Sequence, residues 1–216
     1  MEEFTGSPVT LFPHPIPAQD FPKITRSITS APKFIDIVAP GLARYEKGSD
    51  LLQGAIYTIL GDSHLRDLKF HIQWRKAFEN RHGSIIELSP ELASHPRVDN
   101  VARSLVGSDY YQFLNQADFV VLPYRKSSYH NRLSRVAIEA ASMGIPFVYS
   151  KGTWMESLDS MTGAGISIER ETQHDLVEAI RLAVLNLAEL KRRAYESKEA
   201  VADYFSAARF RDSLPE

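Results

Sequence analysis

The sequence predicts an α/β protein built on a doubly wound parallel sheet. Three observations predict it: short apolar, β-rich runs alternate with stretches of helical periodicity, the joints between them are short, and Gly and Pro punctuate those joints. Such alternation closes a parallel sheet through right-handed crossovers. Ligands of these sheets bind at the carboxyl edge of the strands.

The first strand is expected at Lys33 to Val38, ended by Ala39-Pro40-Gly41. Ser49 or Asp50 then caps the apolar-periodic helix LLQGAIYTIL, because a short polar side chain satisfies a free amide at a helix start. Leu68 to Trp74 alternates as a second strand and Val98 to Leu105 as a weaker third, with residues 75–97 expected to be irregular. Ser108 caps the helix DYYQFLNQA, which runs into a wholly apolar strand, Phe119 to Leu122. A polar loop rich in Tyr, Arg, Lys and Ser follows, then a helix up to Met143 and a strand from Pro146 to Tyr149. Beyond Thr153 come a helix (Trp154 to Met161), a strand (Gly165 to Ile168), a helix from Gln173 to Leu190, and a last helical run from Arg192 to Phe205.

With 216 residues and 44% apolar content, the chain can bury one large core, expected over residues 34–190. Residues 1–33 hold six prolines, which deny them a helical face and make them a lead-in or interdomain linker. Lys and Arg number 25 against 27 Asp and Glu, a net charge of -2. That balance removes any global electrostatic case for nucleic acid or an anionic membrane, and leaves anion binding to local patches. Membrane association is at most peripheral. No cysteine is present, so disulfides and thiolate chemistry are excluded. The start, MEEFTGSPVTLFPHPIP, has neither a basic nor an apolar leader region, and no apolar run approaches the roughly 20 residues that span a bilayer. The expectation is a soluble, cytoplasmic protein.

Two loops carry candidate chemistry. PGLARYEKG, residues 40–48, joins the first strand to the first helix; its glycines at 41 and 48 allow tight turns, and Arg44 and Lys47 are placed to reach anions across the sheet edge. The plain alternative is a solvated charged turn. The second loop holds Arg125, Lys126, Arg132 and Arg135 with Tyr124 and Tyr129, around an expected helix amino end. Unpaired amides and the helix dipole there favour phosphate groups, against the alternative of a solvated basic loop. Glu139 lies within that helix among small residues, an odd place for a charge unless something meets it. The seven histidines are scattered without an i, i+4 pair, so no metal is expected, and neither a Walker A loop nor a GxGxxG or GxSxG pattern occurs. Trp74 and Trp154 read as packing residues, with Trp154, after the loop that follows the last central strand, also placed to line a cleft.

In order and spacing, GLARYEKGSDLL, SDYYQFLNQADFVVLPY, IEAASMGIPFV and GTW resemble the carboxyl-terminal, donor-binding domain of retaining GT-B glycosyltransferases of the glycosyltransferase-1, glycogen-synthase-like group. The resemblance covers roughly residues 34–190 and implies a Rossmann-like half of a two-domain fold. It implies a nucleotide-diphospho-sugar as substrate, bound mainly here, with no cofactor or metal. The acceptor, a saccharide or lipid-linked group, would lie mainly on a second, amino-terminal domain that this chain has no room for. LFPHPIP resembles the segment that ends that domain, and the helix in residues 191–216 the one that crosses back to it.

Carried over residue by residue, Lys47 is similar to the lysine before glycine that neutralises the donor diphosphate, aided here by Arg44 or Arg132. Glu139 matches the second glutamate of the group's glutamate-x7-glutamate element, which holds the ribose hydroxyls. Gly41, Tyr124 and the backbone from Leu133 through Ser134 to Arg135 then fall around the diphosphate. Three departures stand out. Asn131 takes the place of the first, sugar-facing glutamate, Ser134 that of the glycine at the helix start, and Leu42 that of an arginine after Gly41. Three readings follow: a donor-binding domain truncated from a larger transferase; a degenerate, non-catalytic half that acts as a binding or interaction module; and a flavodoxin-like or epimerase-type domain, which explains the alternation but not the ordered blocks.

Overall fold

In the computed structural model, residues 14–16 and 34–213 are described. Strands β1 (Ile35–Ala39), β2 (Leu68–Ile72), β5 (Val98–Asn100), β6 (Phe119–Leu122), β7 (Phe147–Ser150) and β8 (Gly165–Ile168) form one sheet in the order β5-β2-β1-β6-β7-β8, and every pair is parallel. The chain runs outward from β1 to β2 and β5, then returns to the other side of β1 with β6. The reversal opens a crevice at the carboxyl ends of β1 and β6, the switch point where doubly wound sheets bind ligands.

Alternation along each strand feeds two cores. On one face Val38, Val120, Leu122 and Phe147 pack with α3 (Gly107–Asn115), α5 (Arg135–Ser142), α6 (Met155–Thr162) and α8 (Leu187–Tyr204). On the other, Ile37, Phe70, Phe119, Val121 and Val148 pack against α1 (Ser49–Leu60) and α7 (Gln173–Leu185). A parallel sheet covered on both faces requires apolar side chains in both directions, which is why β6 reads FVVL and is buried throughout. Phe119→Ala should cost about 3–5 kcal/mol, since the ring is fully buried at the centre of the sheet. Urea unfolding of the variant measures it.

The segment expected to be irregular, 75–97, is structured. Strands β3 (Phe78–Glu79) and β4 (Ile85–Ile86) pair antiparallel, followed by α2 (Pro90–Ala93) capped by Ser89. The hairpin turn is made by Asn80, whose side chain accepts the amides of His82 and Ser84, and by Gly83 at φ +80°. The third main strand ends at Asn100 instead of Leu105. There the Asn100 side chain pairs with both backbone groups of Trp74 and ends the ladder. The helix expected from Gln173 to Leu190 breaks at Asn186, and the last helix starts at Leu187. Helix α8 spans residue 190 and packs on α5 and α6. Helix α9 (Ala207–Asp212) buries no residue.

Apart from residues 14–16, the proline-rich lead-in lies outside the described residues. Ile16 is buried in the core and donates its amide to the Phe205 carbonyl at 2.9 Å, so this piece of the entering chain lies against the end of α8. No helix among the described residues is long and apolar enough to cross a membrane.

Candidate functional site

After β1 the chain turns at Gly41, with φ +85°, and then makes a single 3-10 turn, Tyr45–Lys47. Gly48 follows in the left-handed region at φ +65° and serves both as the end of that turn and as the cap of α1. A Cβ on Gly48 would overlap the Pro123 carbonyl, so the turn lies directly on the loop that follows β6. A Cβ on Gly41 would overlap the Lys47 ammonium, which therefore rests on bare backbone.

Lys47 is half-buried, with its ammonium 5.5 Å from the centroid of the Tyr124 ring. Among the described residues it makes no salt bridge. Burial, then repulsion from Arg44 and Arg132, lowers its pKa from 10.5 to about 8, offset in part by Glu46. The site thus gathers three cations, Arg44, Lys47 and Arg132, around one nearby carboxylate, Glu46. Arg132 is exposed and lies over the Tyr129 ring at 5.0 Å; Arg44 is exposed and pairs with Glu46 at 3.3 Å. Gly41, Lys47, Gln73, Trp74 and Tyr124 are among the residues around a cavity of about 20 Å³, room for one water-sized group.

On the far side of Tyr124, α5 begins. Ser134, buried, caps it by accepting the Ala137 amide at 3.2 Å, which satisfies one of the first-turn amides. Ser134 thus supplies a cap that glycine cannot, a reason for that departure. Leu133 is half-buried and Asn131 exposed. Glu139 is buried one turn further on, its carboxylate accepting Arg135 Nε at 2.8 Å and the Tyr111 hydroxyl at 3.4 Å. Tyr110 and Tyr111 both feel this charge: burial first, then Glu139, raises the pKa of each phenol.

The structure therefore brings Gly41, Arg44, Lys47, Tyr124 and Arg132 into one cluster, with Ser134 and the start of α5 behind it. Glu139 lies in α5 behind it, buried, with Arg135 and Tyr111 on one carboxylate oxygen. Two members of the expected basic loop belong elsewhere. Arg125 is buried and pairs with Asp50 at 2.6 Å and Glu171 at 3.5 Å, while the Lys126 amide donates to Glu171. Arg125 is thus neutralised inside the protein; its carboxylates come from residues 75 and 46 positions away, which no local pattern reveals. The Tyr110-Tyr111 pair around Glu139 was likewise invisible beyond an unusual doublet on α3. Trp154 packs edge-on against Phe205 at 6.1 Å, as a packing residue does. Among the described residues no group of three His, Asp or Glu side chains is arranged to hold a metal ion.

Several solved structures share this architecture. Sucrose-phosphate synthase from Thermosynechococcus elongatus superposes with a TM-score of 0.66 at 16% identity, over 93% of this chain and 50% of its own. The C-terminal domain of a glycosyl transferase group 1 family protein from Francisella tularensis gives 0.58 at 14% identity, over 90% of this chain and 96% of that one. HepE from Anabaena, solved in complex with UDP and glucose, gives 0.60 at 14% identity, over 83% of this chain and 46% of its own. The chain thus spans about half the length of the first of these and nearly all of the isolated domain. No curated protein sequence matches it significantly. The fold is the Rossmann-like half of a GT-B structure. The family model described as "Glycosyl transferases group 1" matches residues 35–186, most of the chain, and the protein belongs to that family.

Proposed function

We propose that this domain binds a nucleoside diphosphate sugar, the donor of a retaining glycosyl transfer, in the crevice between the ends of β1 and β6. The observation that carries the reading is Lys47: a half-buried ammonium with no salt bridge among the described residues, pressed by two arginines at a topological switch point. Holding it there costs stability, and a diphosphate is the kind of group that repays that cost. Arg44 and Arg132 would share the phosphate oxygens with Lys47, and the backbone from Leu133 through Ser134 to Arg135 would supply amides. Charge developing on the departing diphosphate is met by the same cations, a preorganised electrostatic contribution to the transfer step. Glu139 would accept ribose hydroxyls through the carboxylate oxygen that Arg135 and Tyr111 do not use. The UDP bound by HepE supports a nucleotide partner. The acceptor, and the second domain that would hold it, are part of this proposal.

Calorimetry with UDP, GDP, ADP and their sugar conjugates tests it. One nucleotide series should bind, its 2′-deoxy analogue should bind more weakly, and Glu139→Gln should erase that difference. If none binds at millimolar concentration, the reading is overturned.

One observation favours a non-catalytic binding module instead. Asn131, exposed and uncharged, stands where the resemblance places the sugar-facing carboxylate. Assay of a two-domain form for transfer or slow donor hydrolysis separates the two readings: the module binds nucleotide and turns nothing over.

A further inference from the structure

We propose that Arg125 is the positioning residue of this site, pinning the turn that carries Lys47 against the loop after β6. The functional part of this rests on the donor-binding reading of Lys47. The geometry stands by itself.

Arg125 is 9% exposed at its side chain and meets three separate elements. It donates through one terminal nitrogen to Asp50 in the first turn of α1 at 2.6 Å, and through the other to Glu171 before α7 at 3.5 Å. Its guanidinium lies over the Tyr45 ring, 4.7 Å from the centroid. Its own amide donates to the Glu46 carbonyl at 2.9 Å. Tyr45, Glu46 and Asp50 flank Lys47 on both sides, so one arginine grips the turn before and after the ammonium. Gly48 completes the grip by direct contact with Pro123.

The arrangement is not the one that stability alone favours. Asp50 Oδ1 and Arg125 Nε are both buried without a hydrogen-bond partner among the described residues. A buried ion pair with open valences often gains stability when replaced by apolar side chains of similar volume. What the pair does supply is direction. A lysine on a free loop extends its ammonium into water; this one is held over Gly41 and beside Tyr124, where it is desolvated. Arg125, spent on two carboxylates, has no charge to lend a phosphate, so its effect on ligand passes through the turn.

The test uses the full chain carrying isotope-labelled lysine, so that NMR follows the Lys47 side chain through its titration without ligand. The groups that act on this ammonium are Arg44, Glu46 and Arg132, with the Tyr124 ring beside it. Arg125→Met combined with Asp50→Asn removes the clamp and leaves net charge unchanged, so a shift reads position and not charge. In this variant the Lys47 midpoint should rise from about 8 toward 10.5, the value of an exposed lysine. Affinity for whichever of UDP, GDP and ADP binds the parent should fall by about tenfold, the scale of one charge-assisted contact. Arg125→Lys, which keeps the charge and loses the fork, should shift the midpoint part of the way. It serves as the decisive variant if the double substitution does not fold. A folded variant whose Lys47 midpoint is unchanged overturns the proposal. A parent that binds no nucleotide overturns the donor reading alone, since the ligand-free titration still decides the role of Arg125.

Discussion

Lys47→Met should make the ligand-free domain more stable and remove its hold on a nucleoside diphosphate. The folded protein keeps this lysine at a pKa of about 8, below the 10.5 of an exposed one, chiefly because burial disfavours the charged form. Between those two values the unfolded chain holds a proton that the folded chain has released. Stability of the parent therefore rises as pH increases from about 8 to 10.5, and at neutral pH the full cost of the buried charge is borne. The drop corresponds to about 3 kcal/mol at most, and partial solvation of the ammonium reduces that to on the order of 1–2 kcal/mol. Methionine retains the aliphatic length without the charge, so the variant should melt a few degrees higher at pH 7 and lose the rise above pH 8. Its affinity for UDP, GDP or ADP should fall roughly 10- to 100-fold, the loss of a charge-assisted hydrogen bond. In the parent, affinity should decline as pH rises through about 8, where the ammonium is lost. Thermal unfolding from pH 7 to pH 10 and calorimetry check both halves; a variant that is less stable yet binds as the parent does would refute the assignment.

Gly48→Ala should damage fold and binding together. A left-handed backbone at φ +65° costs an L-residue about 1–2 kcal/mol. The new methyl would also overlap the carbonyl oxygen and carbon of Pro123, both backbone atoms that yield only if the turn and the loop separate. The combined loss should reach about 2–4 kcal/mol, with nucleotide binding reduced along with it. Gly41→Ala provides the contrast. Its left-handed φ carries a similar backbone cost, but the methyl meets only the tip of the Lys47 side chain, which moves easily. That variant should lose affinity out of proportion to stability. Chemical denaturation and calorimetry on the two variants, side by side, distinguish a displaced turn from a displaced ammonium.

Much of the frame was legible along the chain. The strands β6 and β7 announce themselves as apolar runs, because a sheet covered on both faces needs them, while β1, β2 and β8 are short β-rich runs. Helices α5 and α7 carry the side-chain caps of Ser134 and Thr172, whereas α1 starts on Gly48 instead of a Ser49 or Asp50 cap and α3 on Val106 instead of Ser108. The hairpin within 75–97 was missed because its strands are only two residues long; the visible sign was the Asn80 and Gly83 turn chemistry. The break at Asn186 was missed because apolar residues continue through it, and only the Asn186 side chain, bonded back to the Leu182 carbonyl, marks the join.

The sequence by itself determined the alternating fold, the placing of Gly41 and Lys47 after the first strand, and the position of Glu139 inside a helix that starts beside a basic loop. These follow from periodicity and turn chemistry, which are local. Which charges remain open was decided only by the tertiary structure. Four basic residues in the second loop look alike in sequence, yet Arg125 is consumed by Asp50 and Glu171, Arg135 by Glu139, and Arg132 stays exposed beside Lys47. A charge is neutralised by whatever the fold brings within a few ångströms. Those partners lie as far as 75 residues away for Arg125 and as near as one helical turn for Arg135.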